Sequence, residues 1–315
     1  MTPPPVVASA PPVVVTPPAS SPSSSAMSFG VGGHSGYTAY PLSQTEAVFS
    51  LLNSKNIRKY RIDVNAANFA VLDTMVPLAK KYGITLRPMI YPTTQAQAYT
   101  FAKRYANDIK IWEIGNEQDQ TRTGAQDRIN VMVSTYKGIK QASDELGAKL
   151  ETTINIMGCN SDYTGPGATC AGEKAGAMWF TEMARNSGFL FDHVSFHYYP
   201  HYGDKGYFMD LILSQLRGFA VKYNTKIYYN EVNCAEIYDG NTTGGFAGDK
   251  GCYDSIKQIF DILKTSYSDV IAEVTMYELF DNTDIGGTEG HFGLLYDINK
   301  PKPNFNLLVD YANKP

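Results

Sequence analysis

The sequence has little net charge, few cysteines and no long uncharged apolar run. Its 27 Lys and Arg against 31 Asp and Glu give a formal charge of −4, which excludes a strongly basic nucleic-acid binder and an acidic solvating tail. No run of about 18 uncharged apolar residues stands outside the proline-broken start, so no transmembrane helix is expected. A GxGxxG loop is also missing, because GVGGHSG has the wrong spacing; this argues against an open dinucleotide-binding sheet. There is no CxxC pair, and neither a metal nor a cofactor is expected. Tryptophan is scarce as well: 2 Trp stand against 22 Tyr and 15 Phe. A tyrosine ring packs while its hydroxyl still hydrogen-bonds, so this balance suits a wide, wet binding surface.

The first 26 residues, MTPPPVVASAPPVVVTPPASSPSSSA, hold 8 of the 17 prolines, 6 serines and no charge. They lack the positive start and continuous apolar stretch of a signal peptide. Proline fixes φ and removes donors, so 1–26 reads as a disordered Pro/Ser-rich linker, or as a remnant left behind a removed signal. One folded domain is expected over 27–315.

The four cysteines fall as two local pairs, Cys159 with Cys170 and Cys234 with Cys252, each bracketing a Gly/Asp/Asn-rich segment. Four cysteines allow three pairings, and free thiols are the blander alternative. Local disulfides are favoured, since closing a loop of about 15 residues stabilises by about 3 kcal/mol in the chain-entropy picture. They imply an oxidising location: secreted, periplasmic or cell-surface. Asn241-Thr242-Thr243 is a glycosylation sequon, relevant only in a eukaryotic secretory host.

Eight β-rich runs alternate with amphipathic stretches. The predicted strands are 28–33, 59–64, 85–91, 109–114, 150–157, 193–198, 226–232 and 272–279. The predicted helices are 44–54, 70–82, 96–106, 126–146, 175–187, 207–223 and 254–266, with Gly83 and Gly147 placed as C-caps. Eight units in this length average about 36 residues each, which suits an α/β architecture in which right-handed crossovers close into a (β/α)8 TIM barrel. An open doubly wound sheet is the alternative. A barrel carries its chemistry at the C-terminal ends of its strands.

Strand 4 ends in IWEIGNEQD, with Glu117 at its lip just after Asn116. Strand 7 ends in YYNEVNC, with Glu231 at its lip. These strands lie across the barrel mouth from each other. A single lip glutamate reads as a solvated surface residue. Two facing ones are the minimum equipment for breaking a glycosidic bond: one protonated to release the leaving oxygen, the other ionised to attack or to activate water.

WEIGNE followed by NEV, with FHYY between them, resembles clan A of the glycoside hydrolases, retaining (β/α)8 enzymes. The resemblance runs from Gly30 to the tail GHFGLLYDINKPKPNF. Within the clan, WEIGNE and the RID of strand 2 are most similar to family 39 and its exopolysaccharide-degrading relatives. The resemblance implies Glu117 as general acid/base, Glu231 as nucleophile and Asn116 as the holder of the sugar 2-hydroxyl. Arg61 would keep the nucleophile ionised; His197 and Tyr199 would line the same subsite, and His34 would contact the sugar. Two departures stand out: Tyr277 and Phe280 in YELF replace the strand-8 Trp platform of many members, and Gln118 replaces the Pro after NE.

Alternation along a strand puts Glu113 and Glu117 on one face, as it does His197 and Tyr199. Glu117 is expected to stay protonated near neutral pH through burial or the charge of Glu231. Glu113 reads as a buried partner of Arg61 or Arg87, and Glu278 as a third carboxylate contacting substrate. Tyr198, Tyr202, Tyr238 and Phe246 are candidate sugar-stacking rings. Trp112 reads as core, and Asp204, Asp239 and Asp284 as solvated. The expected partner is a polysaccharide or oligosaccharide, with no nucleic acid, no membrane span and a monomeric state. Endo action on a secreted or biofilm-type polysaccharide is favoured. The alternatives are an exo-acting, xylosidase-like β-glycosidase and a non-catalytic sugar-binding barrel. Transglycosylation would use the same residues.

Overall fold

The computed structural model describes residues 27–157, 178–201, 205–235 and 251–314. In KYRIDV, Ile62 and Val64 enter the apolar core, while the alternating Arg61 and Asp63 make polar contacts toward the barrel axis and mouth. The same alternation runs through eight parallel strands: β1 (Ser28–Gly33), β2 (Lys59–Val64), β3 (Thr85–Ile90), β4 (Ile111–Ile114), β5 (Glu151–Ile156), β6 (His193–His197), β7 (Lys226–Val232) and β8 (Ile271–Met276). They pair in chain order, and β8 closes onto β1, giving the (β/α)8 barrel and excluding the open sheet.

Helices cover the outside: α1 (Thr45–Ser54), α2 (Val71–Tyr82), α3 (Gln95–Tyr105), α4 (Ala125–Leu146), α5 (Met178–Asn186), α6 (Ser214–Tyr223), α7 (Gly251–Ser266) and α8 (Pro303–Asn313). Thr94 and Gln97 form a reciprocal capping box at the start of α3. Gly83 and Gly147 end α2 and α4 with φ of 64° and 61°, where a side chain would be strained. The 207–223 stretch, expected as one helix, is a π-helical turn over Tyr207–Leu213 followed by α6. An antiparallel pair, β9 (Leu295–Asp297) and β10 (Lys300–Pro301), and the terminal α8 complete the described chain.

The apolar core lies between strands and helices, and Trp112 is fully buried in it. The barrel interior is instead charged in part. Arg87 pairs with Glu273 at 3.0 Å, and Arg61 with Glu113 at 2.7 Å, so Glu113 is a buried partner of Arg61. Strand β7 carries an irregularity that matters for the site. Tyr229 pairs with Val274 and Val232 with Met276, so three steps along β7 match two along β8. This bulge lets two successive residues, Asn230 and Glu231, both reach inward, to Glu113 and Arg61.

A disulfide joins Cys234, just past β7, to Cys252 in α7, with Cα atoms 5.5 Å apart. Cys159, Cys170, Tyr202, Asp204, Tyr238, Asp239, Asn241, Phe246 and the linker 1–26 lie outside the described residues. Among the described residues, no helix is long and apolar enough to cross a membrane.

Candidate active site

The C-terminal mouth of the barrel holds a cleft of about 650 Å³ lined by residues from most strands, including Arg61, Asn116, Glu117, His197, Tyr199 and Glu231. The chain reaches Glu117 by a turn. Strand β4 stops at Ile114, and Gly115 (φ 81°) and Glu117 (φ 49°) are both left-handed. Strand parity therefore does not apply between Glu113 and Glu117; the turn aims Glu117 at the cleft. A non-glycine residue in that region is uncommon and marks a position held by its surroundings. Here the Glu117 N–H donates to Asn155 Oδ1 at 2.7 Å.

Glu231 lies under a set of donors. Arg61 Nη1 donates to its Oε1 at 2.6 Å and Tyr199 Oη to its Oε2 at 2.6 Å. Arg61 Nη2 also donates to Asn116 Oδ1 at 3.0 Å. One guanidinium thus organises Glu113, Glu231 and Asn116 through its fixed fork. Burial pulls the Arg61 pKa down, but Glu113 and Glu231 together more than reverse this, so it stays charged.

His197 sits between the two cleft carboxylates. Its Nδ1 is 2.8 Å from Glu117 Oε1 and 3.2 Å from Glu231 Oε2. Burial pushes the Glu117 carboxyl up, yet His197, Gln120 and Arg61 pull it down further, and the net displacement is below the ordinary range. This corrects the expectation that burial and Glu231 keep Glu117 protonated: charge-stabilising donors surround it. Burial lowers His197, whereas Glu231 and Glu117 raise it, and the net is upward. One ligand atom each of Glu117, His197 and Glu231 lies within 4.8 Å of the others. Arg61, Tyr199 and His197 already supply positive or donor groups to both carboxylates.

His34 completes the opposite wall. Its Nδ1 is 3.1 Å from Asp63 Oδ1, and its Nε2 is 3.1 Å from Tyr277 Oη and 3.2 Å from Glu278 Oε2. Burial lowers its pKa, but Asp63 and Glu278 outweigh this and push it up to about 9. Tyr277 lines the cleft. Glu278 does not: it is fully buried behind His34 and receives Tyr40 Oη at 2.7 Å. The expectation that Glu278 contacts substrate is therefore corrected; it is a support for His34. Tyr198 lines the cleft but is itself almost fully buried.

Sequence reasoning missed Asp63, Tyr37, Tyr91, Asn155 and Gln120. Asp63 shares the RID string and parity with Arg61, and Asn155 is a polar residue alternating with Ile154 and Ile156, so both left a signal. Tyr37, 37% exposed, lies in a loop where periodicity gives none, and Tyr91, 43% exposed, ends the predicted strand 85–91 but lies just past β3. His193, His197 and His201 recur every four residues, a zinc-like spacing on a helix. Here His193 and His197 are the two ends of β6, so four residues separate them by roughly 13 Å.

Fold and site together define a (β/α)8 barrel with two facing carboxylates at its catalytic-type mouth. Solved structures share this fold. An endo-β-1,4-mannanase from Thermotoga petrophila aligns at TM-score 0.57 and 15% identity, covering 91% of this chain and 76% of that one. A GH53 catalytic domain from Ignisphaera aggregans aligns at 0.64 and 14%, covering 96% and 100%. A β-glucosidase from Exiguobacterium marinum aligns at 0.65 and 12%, covering 91% and 98%. No protein-family model matches the chain, and neither does any curated protein. At these identities the similarity establishes the barrel fold.

Proposed function

We propose that this protein is a retaining glycoside hydrolase of the clan A type, cleaving β-glycosidic bonds with Glu117 as acid/base and Glu231 as nucleophile. The observation that carries the reading is that the two carboxylates face one another, one oxygen of each lying within 4.8 Å of the other with no water-sized gap between them. Retaining enzymes hold theirs about 5–5.5 Å apart, whereas inverting enzymes leave about 6.5–9.5 Å for a water. Arg61 and Tyr199 each donate to Glu231 and aim it. Asn116, its carbonyl oxygen held by Arg61, offers its amide to the sugar 2-hydroxyl. His34 and Tyr277 form the wall where many clan members place a Trp. In the first step Glu231 attacks the anomeric carbon while Glu117 protonates the departing oxygen. The glycosyl ester removes the Glu231 charge, and Glu117 then takes a proton from the attacking water.

The barrel neighbours named as a mannanase and β-glucosidase support this class. The nearer likeness to family 39 rests on WEIGNE and RID alone. Exposed Tyr37 and Tyr91 on the cleft wall favour binding of a chain longer than one sugar, hence endo action on a polysaccharide. The disulfide fits export to an oxidising compartment. The test is hydrolysis of a panel of β-linked polysaccharides and aryl β-glycosides by the wild type, Glu117→Gln and Glu231→Gln, with the first-formed anomer read by proton NMR. The expected result is a β-anomer from the wild type and losses of at least about 10²–10⁴-fold in both variants. Equal rates or an α-anomer would overturn the assignment.

A further inference from the structure

Asn155, at the C-terminal end of the polar face of β5, touches both sides of the acid/base machinery. Its Oδ1 accepts from the backbone N–H of Glu117 at 2.7 Å. Its Nδ2 is 3.1 Å from Ser195 Oγ and 2.8 Å from His197 Nε2. A backbone N–H can only donate, so the Glu117 amide dictates which end of the Asn155 amide is the oxygen. A flipped Asn155 would set its NH2 against that N–H. Ser195 Oγ in turn donates to the Ile154 carbonyl at 3.3 Å and so can accept from Asn155. The NH2 of Asn155 therefore points at His197 Nε2, which must be a bare acceptor. The ring proton is left on Nδ1, where it is donated to Glu117 Oε1 at 2.8 Å.

We infer that Asn155 is a positioning residue that holds His197 as its neutral Nδ1–H tautomer and so reserves the ionisable proton of the Glu117–His197 pair for Glu117 Oε2. This rests on the acid/base role proposed for Glu117. The charged groups facing His197 are Glu117 from the β4 turn, Glu231 from β7 and Arg61 from β2, and Tyr199, beyond the end of β6, bonds Glu231. The two carboxylates draw a second proton toward the imidazole. The Asn155 NH2 opposes it, because an Nε2–H would meet another donor inside a fully buried site, where an unmatched donor is destabilising. Oε1 of Glu117 is occupied by the His197 Nδ1–H, so a proton added to the pair goes to Oε2. That oxygen accepts from Gln120 Nε2 at 2.9 Å and keeps its second lone pair for the proton, and both residues line the cleft. The same chain of bonds keeps the second proton off the imidazole, so that the proton the pair takes up sits on the Glu117 carboxyl.

Two measurements test this. The first needs no substrate: 15N NMR of the full chain labelled at its five histidines, with His197 assigned by loss of its signals in His197→Gln. A protonated Nδ1 and bare Nε2 at pH 7 are expected in the wild type, and a doubly protonated ring in Asn155→Asp, whose carboxylate would accept from Nε2–H. An Nε2–H tautomer or an imidazolium in the wild type overturns the proposal, and so does an unchanged His197 ring in a folded Asn155→Asp. The second compares phenyl and 2,4-dinitrophenyl β-glycosides, in Asn155→Ala, across glucosides, galactosides, mannosides and xylosides. A phenoxide needs a proton to leave; dinitrophenoxide does not. The phenyl rate is expected to fall about 10–100-fold, part of the roughly 10²–10⁴ a general acid supplies, while the dinitrophenyl rate falls less than about threefold. Equal losses on both substrates overturn the inference and mark Asn155 as a packing residue. If the wild type turns over neither substrate while the NMR shows the expected tautomer, the hydrolase reading fails and the hydrogen-bond assignment stands.

Discussion

Replacing Arg61 with Met keeps much of its volume and removes its charge. In the wild type the guanidinium, 6% exposed, bonds Glu231 at 2.6 Å and Glu113 at 2.7 Å. Without it, two buried carboxylates face each other across the axis with no counter-charge. Breaking one buried pair by removing a partner costs about 3–5 kcal/mol, which corresponds to a drop in Tm on the order of 10 °C for a domain of this size. The deficit must depend on pH, and its sign follows from linkage. A buried carboxylate without a counter-charge binds a proton more readily than the same group in the unfolded chain. Such a group adds stability below its unfolded pKa, near 4.3 for Glu, and loses it as pH rises. The gap between Arg61→Met and wild type should therefore be widest at pH 7–8 and shrink toward pH 5. Urea denaturation across that range reads it directly. A gap below about 1 kcal/mol, or one of equal size at pH 5 and pH 8, would refute the idea that Arg61 is the counter-charge of this site.

His34 has its folded pKa raised from 6.5 to about 9 by Asp63 and Glu278 against the opposing pull of burial. The stability it contributes, roughly 3 kcal/mol, is complete below pH 6.5 and is lost as pH rises through 9; denaturation of wild type and His34→Gln should therefore converge by about pH 10, and parallel curves would contradict the ion-pair geometry. Opening the Cys234–Cys252 bridge, which spans 18 residues, should cost about 3 kcal/mol. A Cys234→Ser/Cys252→Ser variant should show it as a lower urea midpoint, and an unchanged midpoint would mean that α7 is held to the end of β7 by packing alone.

Much of the barrel was legible in the sequence because each strand and helix carries its own periodicity. KYRIDV and KIYYNEV coincide with β2 and β7 end for end. The pair β9/β10 and the helix α8 were not anticipated, since the first is only a few residues long and the second was read as part of a family-like tail. At the site, Glu117, Glu231, Arg61, Asn116, His197, Tyr199, His34 and Tyr277 were named from strand ends and motif, and the fold gathers all of them around one cleft. Glu278 was misplaced because alternation says which face a strand residue takes only while the chain remains a strand; β8 ends at Met276.

What the sequence by itself determined is the order of the strands, their count and the two carboxylates at opposed strand ends, all of which follow from local pattern and from the short right-handed crossovers. Tertiary structure alone decided which way those carboxylates point and what charges them. The β7 bulge puts Asn230 and Glu231 on the same side against strand alternation, and a left-handed Glu117 turns back over the mouth. His197 and Arg61, 136 residues apart in the chain, meet at these carboxylates. Such features depend on partners from distant strands, whose fields and hydrogen bonds no local pattern records.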